Sequence, residues 1–209
     1  MKILVACEYS GTVRDAFALR GHDAWSCDLR PTESRMTALE AKHIQGDVLE
    51  VINEGWDLMV GHPPCDKISF AGTQVWNKHG RVFERLEALE FFAKLWEAPI
   101  PLIALENPKS CASPVVAKYS QEIQPYYFGD PQMKTVWLWL KNLPPLEYKI
   151  KDDLFGLKTA CDKPKPISID NTDRQKKRYY ADAKIRNPKD RARFWPGIAN
   201  AMADQWGSF

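Results

Sequence analysis

Cys65 stands in the stretch GHPPCDKISFAG (Gly61–Gly72), directly behind two prolines. Three chemistries are open to a cysteine in that setting: nucleophile, metal ligand or buried thiol. A zinc role needs partners at set spacing. The deaminase pattern requires H-x-E followed by P-C-x-x-C, yet no histidine here precedes a glutamate by two positions, and the residue three past Cys65 is Ile68. No metal is therefore expected. An inert thiol belongs within a strand or helix, whereas Pro63 and Pro64 stiffen the backbone just where an apolar run has ended. That placement favours a nucleophile and leaves a structural cysteine as the alternative. Further groups able to do chemistry recur at the ends of apolar runs: Glu8 to Gly11, Asp28, Asp47 and the pair Glu106-Asn107.

The elements that must position these residues alternate between strands and helices. KILVAC (Lys2–Cys7) is a short strand-forming run closed by the turn-like EYSGT, after which VRDAFALRG has helical spacing and stops at Gly21. DAWSCD (Asp23–Asp28), HIQGD (His43–Asp47) and WDLMVGH (Trp56–His62) read as three more strands, each ending in a polar residue. RVFERLEALEFFAKLWEA (Arg81–Ala98) carries Val82, Leu86, Leu89 and Leu95 between charges, the pattern of an amphipathic helix, and PLIALEN (Pro101–Asn107) is a fifth strand. This alternation implies an α/β fold, a doubly wound and mainly parallel sheet with helices on both faces. Ligands of such sheets sit beyond the carboxyl ends of the strands, where the polar residues are. An acid at the end of the second strand can accept hydrogen bonds from ribose hydroxyls, which makes a nucleoside-containing cofactor plausible for Asp28 and Asp47. Helix capping is the competing role for each.

Length and charge set the outer limits. A chain of 209 residues, 44% of them hydrophobic, holds one core of ordinary size plus an elaboration. Its five cysteines are odd in number, scattered and never C-x-x-C, which argues against a disulfide framework and for a reducing compartment. Neither a signal peptide nor a membrane span is legible, so a cytoplasmic location is expected. The formal net charge is +2, but Asn171–Arg193 holds nine Lys/Arg against three Asp/Glu. Within it Arg174, Lys176, Lys177, Arg178 and Tyr179 combine cations with an aromatic ring, a composition suited to a phosphate backbone and to base stacking. A solvated surface loop is the alternative. The expected organisation is a core over 1–140, a small basic recognition segment over 141–190, and a C-terminal helix over 191–209 that completes the core.

The motifs resemble those of the cytosine-C5 DNA methyltransferases. GHPPCDKISFAG is similar to that family's G-G-P-P-C-Q-G-F-S-x-A-G, matching at Gly61, Pro63, Pro64, Cys65, Ser69, Ala71 and Gly72. LENP (Leu105–Pro108) resembles L-E-N-V, FGDPQMKT (Phe128–Thr135) resembles G-x-P-Q-x-R-x-R, and PGIANAMADQW (Pro196–Trp206) is similar to the closing I-G-N-x-V-P motif and its helix. The resemblance implies a Rossmann-like methyltransferase fold, DNA as partner and S-adenosylmethionine as methyl donor. It makes Cys65 the nucleophile on cytosine C6 and Glu106 the acid at N3, with Asn107 ordering the loop and Gln132 and Lys134 supporting base and phosphate. The donor site would comprise the first turn around Cys7, Glu8 and Gly11, Asp28 at the ribose and Asp47 near the adenine, with Pro63 and Asn200. Ser69 would join the basic residues in contacting nucleic acid.

Departures from the family pattern accompany the matches. CEYSGT keeps only Gly11 of the glycines in F-x-G-x-G-G, with Tyr9 and Thr12 in place of others. His62 replaces a glycine, Asp66 a glutamine, Lys134 an arginine and Val136 the second arginine of R-x-R. About fifty residues stand where this family inserts a sizeable target-recognition domain. Three other readings therefore stay open: C5 modification of cytosine in RNA or a free nucleotide, a non-catalytic nucleic-acid-binding relative, and an amino-methyltransferase. The last needs D/N-P-P-Y/F/W, a pattern that His62 in HPPC fits poorly.

Overall fold

The computed structural model describes residues 1–34, 42–72, 81–152, 156–159, 161–166, 168–170, 177–179 and 193–209, with backbone alone at 149–152, 156–159, 168–170 and 177–179. In chain order the elements are β1 (Lys2–Ala6), α1 (Thr12–Ala18), β2 (Asp23–Asp28), β3 (His43–Gln45), α2 (Val48–Val51), β4 (Leu58–Gly61), α3 (Arg81–Trp96), β5 (Leu102–Asn107), α4 (Ala112–Val115), β6 (Gln121–Ile123), β7 (Val136–Lys141), the short strands β8 (Lys149–Asp152), β9 (Gly156–Thr159), β10 (Ser168–Asp170) and β11 (Lys177–Tyr179), and α5 (Pro196–Trp206). Seven strands form one sheet in the order β3-β2-β1-β4-β5-β7-β6. β1 to β5 pair in parallel, and β7 runs against both β5 and β6.

Alternation along β1 explains the two layers. Ile3 and Val5 point to one face, where α1 and α5 supply Val13, Phe17, Ile198, Met202 and Trp206. Leu4 and Ala6 point to the other, where α3 supplies Leu89, Phe92 and Leu95. Ile3, Leu4 and Val5 are wholly buried, each contributing about 1.5–3 kcal/mol relative to an exposed side chain. The fold is thus α/β, doubly wound and Rossmann-like, with helices on both faces of a mainly parallel sheet. α5 contributes Ile198, Met202 and Trp206 to one of the two cores.

Two details depart from the sequence reading. On α3 Val82 and Leu86 are exposed, and the inward face is Leu89, Phe92 and Leu95. The third strand ends at Gln45 rather than Asp47, because the Asp47 side chain accepts the Leu49 N–H and starts α2. The stretch after β7 forms two antiparallel pairs, β8–β9 and β10–β11. Among the described residues no helix is long and apolar enough to cross a membrane.

Candidate active site

Strand order reverses between β1 and its neighbours β2 and β4, and the carboxyl ends of the strands open there into a cavity of about 630 Å³. That lies within the usual size of small-molecule sites. Its floor begins at Cys7, which leaves β1 with a left-handed φ of 59°, a conformation costing an L residue about 1–2 kcal/mol. Burial pushes the Cys7 thiol well above the ordinary range and moves the neighbouring Cys27 up to about 11. Both stay protonated and are poor nucleophiles.

The next turn is organised by charge rather than by glycine. Glu8 is buried, and its carboxylate caps α1, accepting Val13 N–H at 2.7 Å and Arg14 N–H at 3.1 Å. Arg14, fully buried, donates through Nε and Nη2 to Asp15 at 2.8 and 2.6 Å and through Nη1 to Ser26 Oγ at 3.0 Å. Asp15 also accepts from Ser34 Oγ at 2.6 Å. A Cβ on Gly11, whose φ is 76°, would come within 2.6 Å of Arg14 Nη2 and 2.8 Å of Ser34 Cβ. Gly11 is small because of this cluster.

One end of the cavity carries Asp28 and Asp47 with Tyr9, Leu29 and Val48. Asp28 Oδ1 accepts Arg30 N–H at 2.9 Å and Asp47 Oδ1 accepts Leu49 N–H at 2.9 Å. Each keeps its second oxygen without a partner among the described residues, so capping and ligand binding are compatible. Arg30 lies 5.1 Å over the Tyr9 ring. Leu29, which lines the cavity with the two acids, is 75% exposed. Arg193 pairs with Glu33 at 2.9 Å on the same side.

The other end gathers Cys65, His62, Glu106, Asn107, Lys134, Phe194 and Trp195. Buried Asn107 donates from Nδ2 to the Pro63 carbonyl at 2.8 Å, tying β5 to the proline loop. The Cys65 carbonyl accepts from Ser69 N–H at 2.8 Å, closing a tight turn behind the thiol. Burial raises the Cys65 thiol, the negative charges of Glu106 and Asp66 raise it further, and Lys134 opposes them. Glu106 Oε2 lies 3.2 Å from His62 Nδ1. Lys134 Nζ sits 4.8 Å from the Trp195 ring centroid.

Of the residues singled out from sequence, Cys65, Glu106, Asn107, Lys134, Cys7, Asp28, Asp47 and Pro63 line this one cavity. Others do not. Glu8 and Gly11 serve the start of α1, as described. Gln132 is set back from the wall, accepting Trp195 Nε1–H at 2.8 Å. Asn200 is exposed on α5 and accepts from Arg20 at 3.3 Å, away from the cavity. Ser69 is buried and bridges to Ser110. Arg174 and Lys176 lie outside the described residues, and Lys177, Arg178 and Tyr179 are described as the backbone of β11. Sequence reasoning missed Phe194 and Trp195 as walls; the signal was their place just before the closing motif. Among the described residues no group of His, Cys, Asp and Glu is arranged to hold a metal ion.

No family model matches the chain. No curated protein matches it either. Among solved structures, it is similar to one provisionally described as a DNA modification methyltransferase encoded within a prophage (E. coli), with a TM-score of 0.46 and 17% identity over 77% of this chain and 51% of that one. It is also similar to WbdD in complex with the kinase inhibitor LY294002, with a TM-score of 0.36 and 13% identity over 81% of this chain and 40% of that one. The chain spans about half the length of the first and two-fifths of the second. Likeness at this level carries no argument about activity.

Proposed function

We propose that the chain is a cytosine-C5 methyltransferase acting on DNA with S-adenosylmethionine as donor. One observation carries the reading: Cys65 and Glu106, from the ends of β4 and β5, line the same cavity as the half-satisfied carboxylates of Asp28 and Asp47. The motif resemblance in GHPPCDKISFAG and LENP adds to it.

Cytosine C5 is a weak nucleophile until a thiolate adds to C6. Cys65 Sγ forms that bond, the electron pair passes to N3, and the Glu106 carboxyl supplies the N3 proton. The product is an enamine, nucleophilic at C5. S-adenosylmethionine, when bound, supplies the methyl as a sulfonium. Water then takes up the C5 proton, the C–H electron pair re-forms the C5–C6 double bond and expels Sγ as thiolate, and the N3 proton returns to Glu106. Asn107 fixes the proline loop and hence the thiol. Cys65 must give up its proton to water as the base enters, and Lys134 is the cation that favours the thiolate. Asp28 and Asp47 fit the ribose and adenine side of the donor, with Tyr9, Leu29 and Val48 as apolar contacts. A paired base would have to be flipped out to reach the cavity.

A second reading keeps the chemistry and moves it to cytosine in RNA or a free nucleotide. It is favoured by the shortness of the stretch between β7 and α5, whose described residues hold two small antiparallel strand pairs. Transfer of labelled methyl from S-adenosylmethionine, assayed on DNA, RNA and cytidine nucleotides, tests both and ranks the substrates. Cys65→Ala should abolish transfer while S-adenosylmethionine still raises the melting temperature. Absence of both transfer and a thermal shift in the unaltered protein would refute the proposal.

A further inference from the structure

His62 follows β4, and its backbone N–H donates to the Ala6 carbonyl at 2.9 Å. From there the imidazole reaches β5, with Nδ1 3.2 Å from Glu106 Oε2 and both side chains 13% exposed. The ring rests on Phe194, centroids 4.6 Å apart and planes inclined by 51°. Nε2 is buried with no hydrogen-bond partner among the described residues. Glu106 lines the cavity, and its side chain makes no other hydrogen bond among those residues.

Elementary hydrogen bonding then assigns the protons. An uncharged imidazole has one N–H and one lone pair, and a carboxylate oxygen only accepts. The N–H therefore belongs on Nδ1. The other tautomer would lose the bond to Oε2 and leave a buried N–H without an acceptor. When Glu106 takes up a proton, the oxygen that stays a carbonyl is the better acceptor, and Nδ1–H already engages Oε2. Oε1 is the oxygen left to carry it.

We infer that His62 is a positioning residue that directs the proton of Glu106 onto Oε1, the oxygen available to a bound base. The geometry stands by itself; its consequence for turnover rests on the C5 reading proposed above. A glycine, which the resembling motif has at this position, offers no such donor. Phe194, which follows the basic stretch directly, buttresses the ring and fixes its plane.

Long-range nitrogen–proton NMR on histidine-labelled full-length protein reads the tautomer directly, with His62 assigned by the signals lost in His62→Asn. The expected state is Nδ1–H in the unaltered protein, shifting towards Nε2–H in Glu106→Ala. In turnover, His62→Ala should lower kcat by about tenfold or more with KM nearly unchanged, since part of the general-acid contribution is lost. His62→Asn, whose amide donor lies near the same place, should restore most of the rate. An Nε2–H tautomer in the unaltered protein overturns the assignment, as does equal impairment of the Ala and Asn variants. If the unaltered protein methylates no form of cytosine, the C5 reading fails while the tautomer still decides the His62–Glu106 pair.

Discussion

Asp15→Ala should destabilise the protein far more than a half-exposed helical aspartate normally would. Arg14 has no exposed side-chain surface, whereas Asp15 retains 23% of its own. The substitution removes two acceptor contacts to the guanidinium, at 2.8 and 2.6 Å, and the 2.6 Å bond from Ser34 Oγ. Breaking a buried ion pair from one side costs about 3–5 kcal/mol, and the partial exposure of Asp15 places this case near about 3 kcal/mol. At about 2–4 °C per kcal/mol for a chain of this size, the melting temperature should fall by roughly 6–12 °C. Scanning calorimetry measures it. Removing Arg14 first, as Arg14→Met, should shrink the further cost of Asp15→Ala to below about 1 kcal/mol, because no buried charge is left stranded. A fall of less than about 2 °C in the single variant would refute the view that this pair organises the turn after β1.

Four other outcomes are expected. Gly61→Ala would set a Cβ 2.7 Å from Leu105 Cδ2, so it should cost about 1–3 kcal/mol by overpacking, read from urea unfolding; an unchanged midpoint would contradict the packing. Burial and the Glu106 charge hold the Cys65 thiol above its ordinary range, so alkylation at Cys65, followed by peptide mass spectrometry, should still climb about tenfold per pH unit through pH 8. Glu106→Gln should speed that alkylation at fixed pH and Lys134→Met should slow it, because the first removes a charge opposing the thiolate and the second removes one favouring it. Asp130, whose carboxyl burial raises above the usual range, binds its proton more tightly folded than unfolded. Its contribution is full below the unfolded value and lost as pH rises through the folded one, and Asp130→Asn should flatten that part of the stability profile.

Local pattern revealed the frame because strands here are short apolar runs ended by polar residues. β2 falls on Asp23–Asp28 as its sequence reads, and β5 keeps Glu106 and Asn107 at its carboxyl end. Roles set by distant partners were not legible. That Glu8 caps α1 and that the Arg14 side chain fills the space above Gly11 depends on contacts no local pattern shows. Asn200 matches a motif, yet the pitch of α5 turns it towards Arg20. The His62–Glu106 contact joins residues 44 positions apart, and no local spacing announces it. Val82 and Leu86 show the limit of periodicity, since helical spacing alone does not say which apolar positions meet the sheet.

The central claim is that Cys65 Sγ attacks cytosine C6. Incubation with S-adenosylmethionine and an oligonucleotide carrying 5-fluorocytosine tests it most directly, because fluorine at C5 cannot leave as a proton and the thioether is trapped. Intact mass spectrometry should show the protein joined to the oligonucleotide through Cys65, and Cys65→Ala should show no adduct. Methyl transfer without such an adduct, or an adduct that survives Cys65→Ala, would contradict the account.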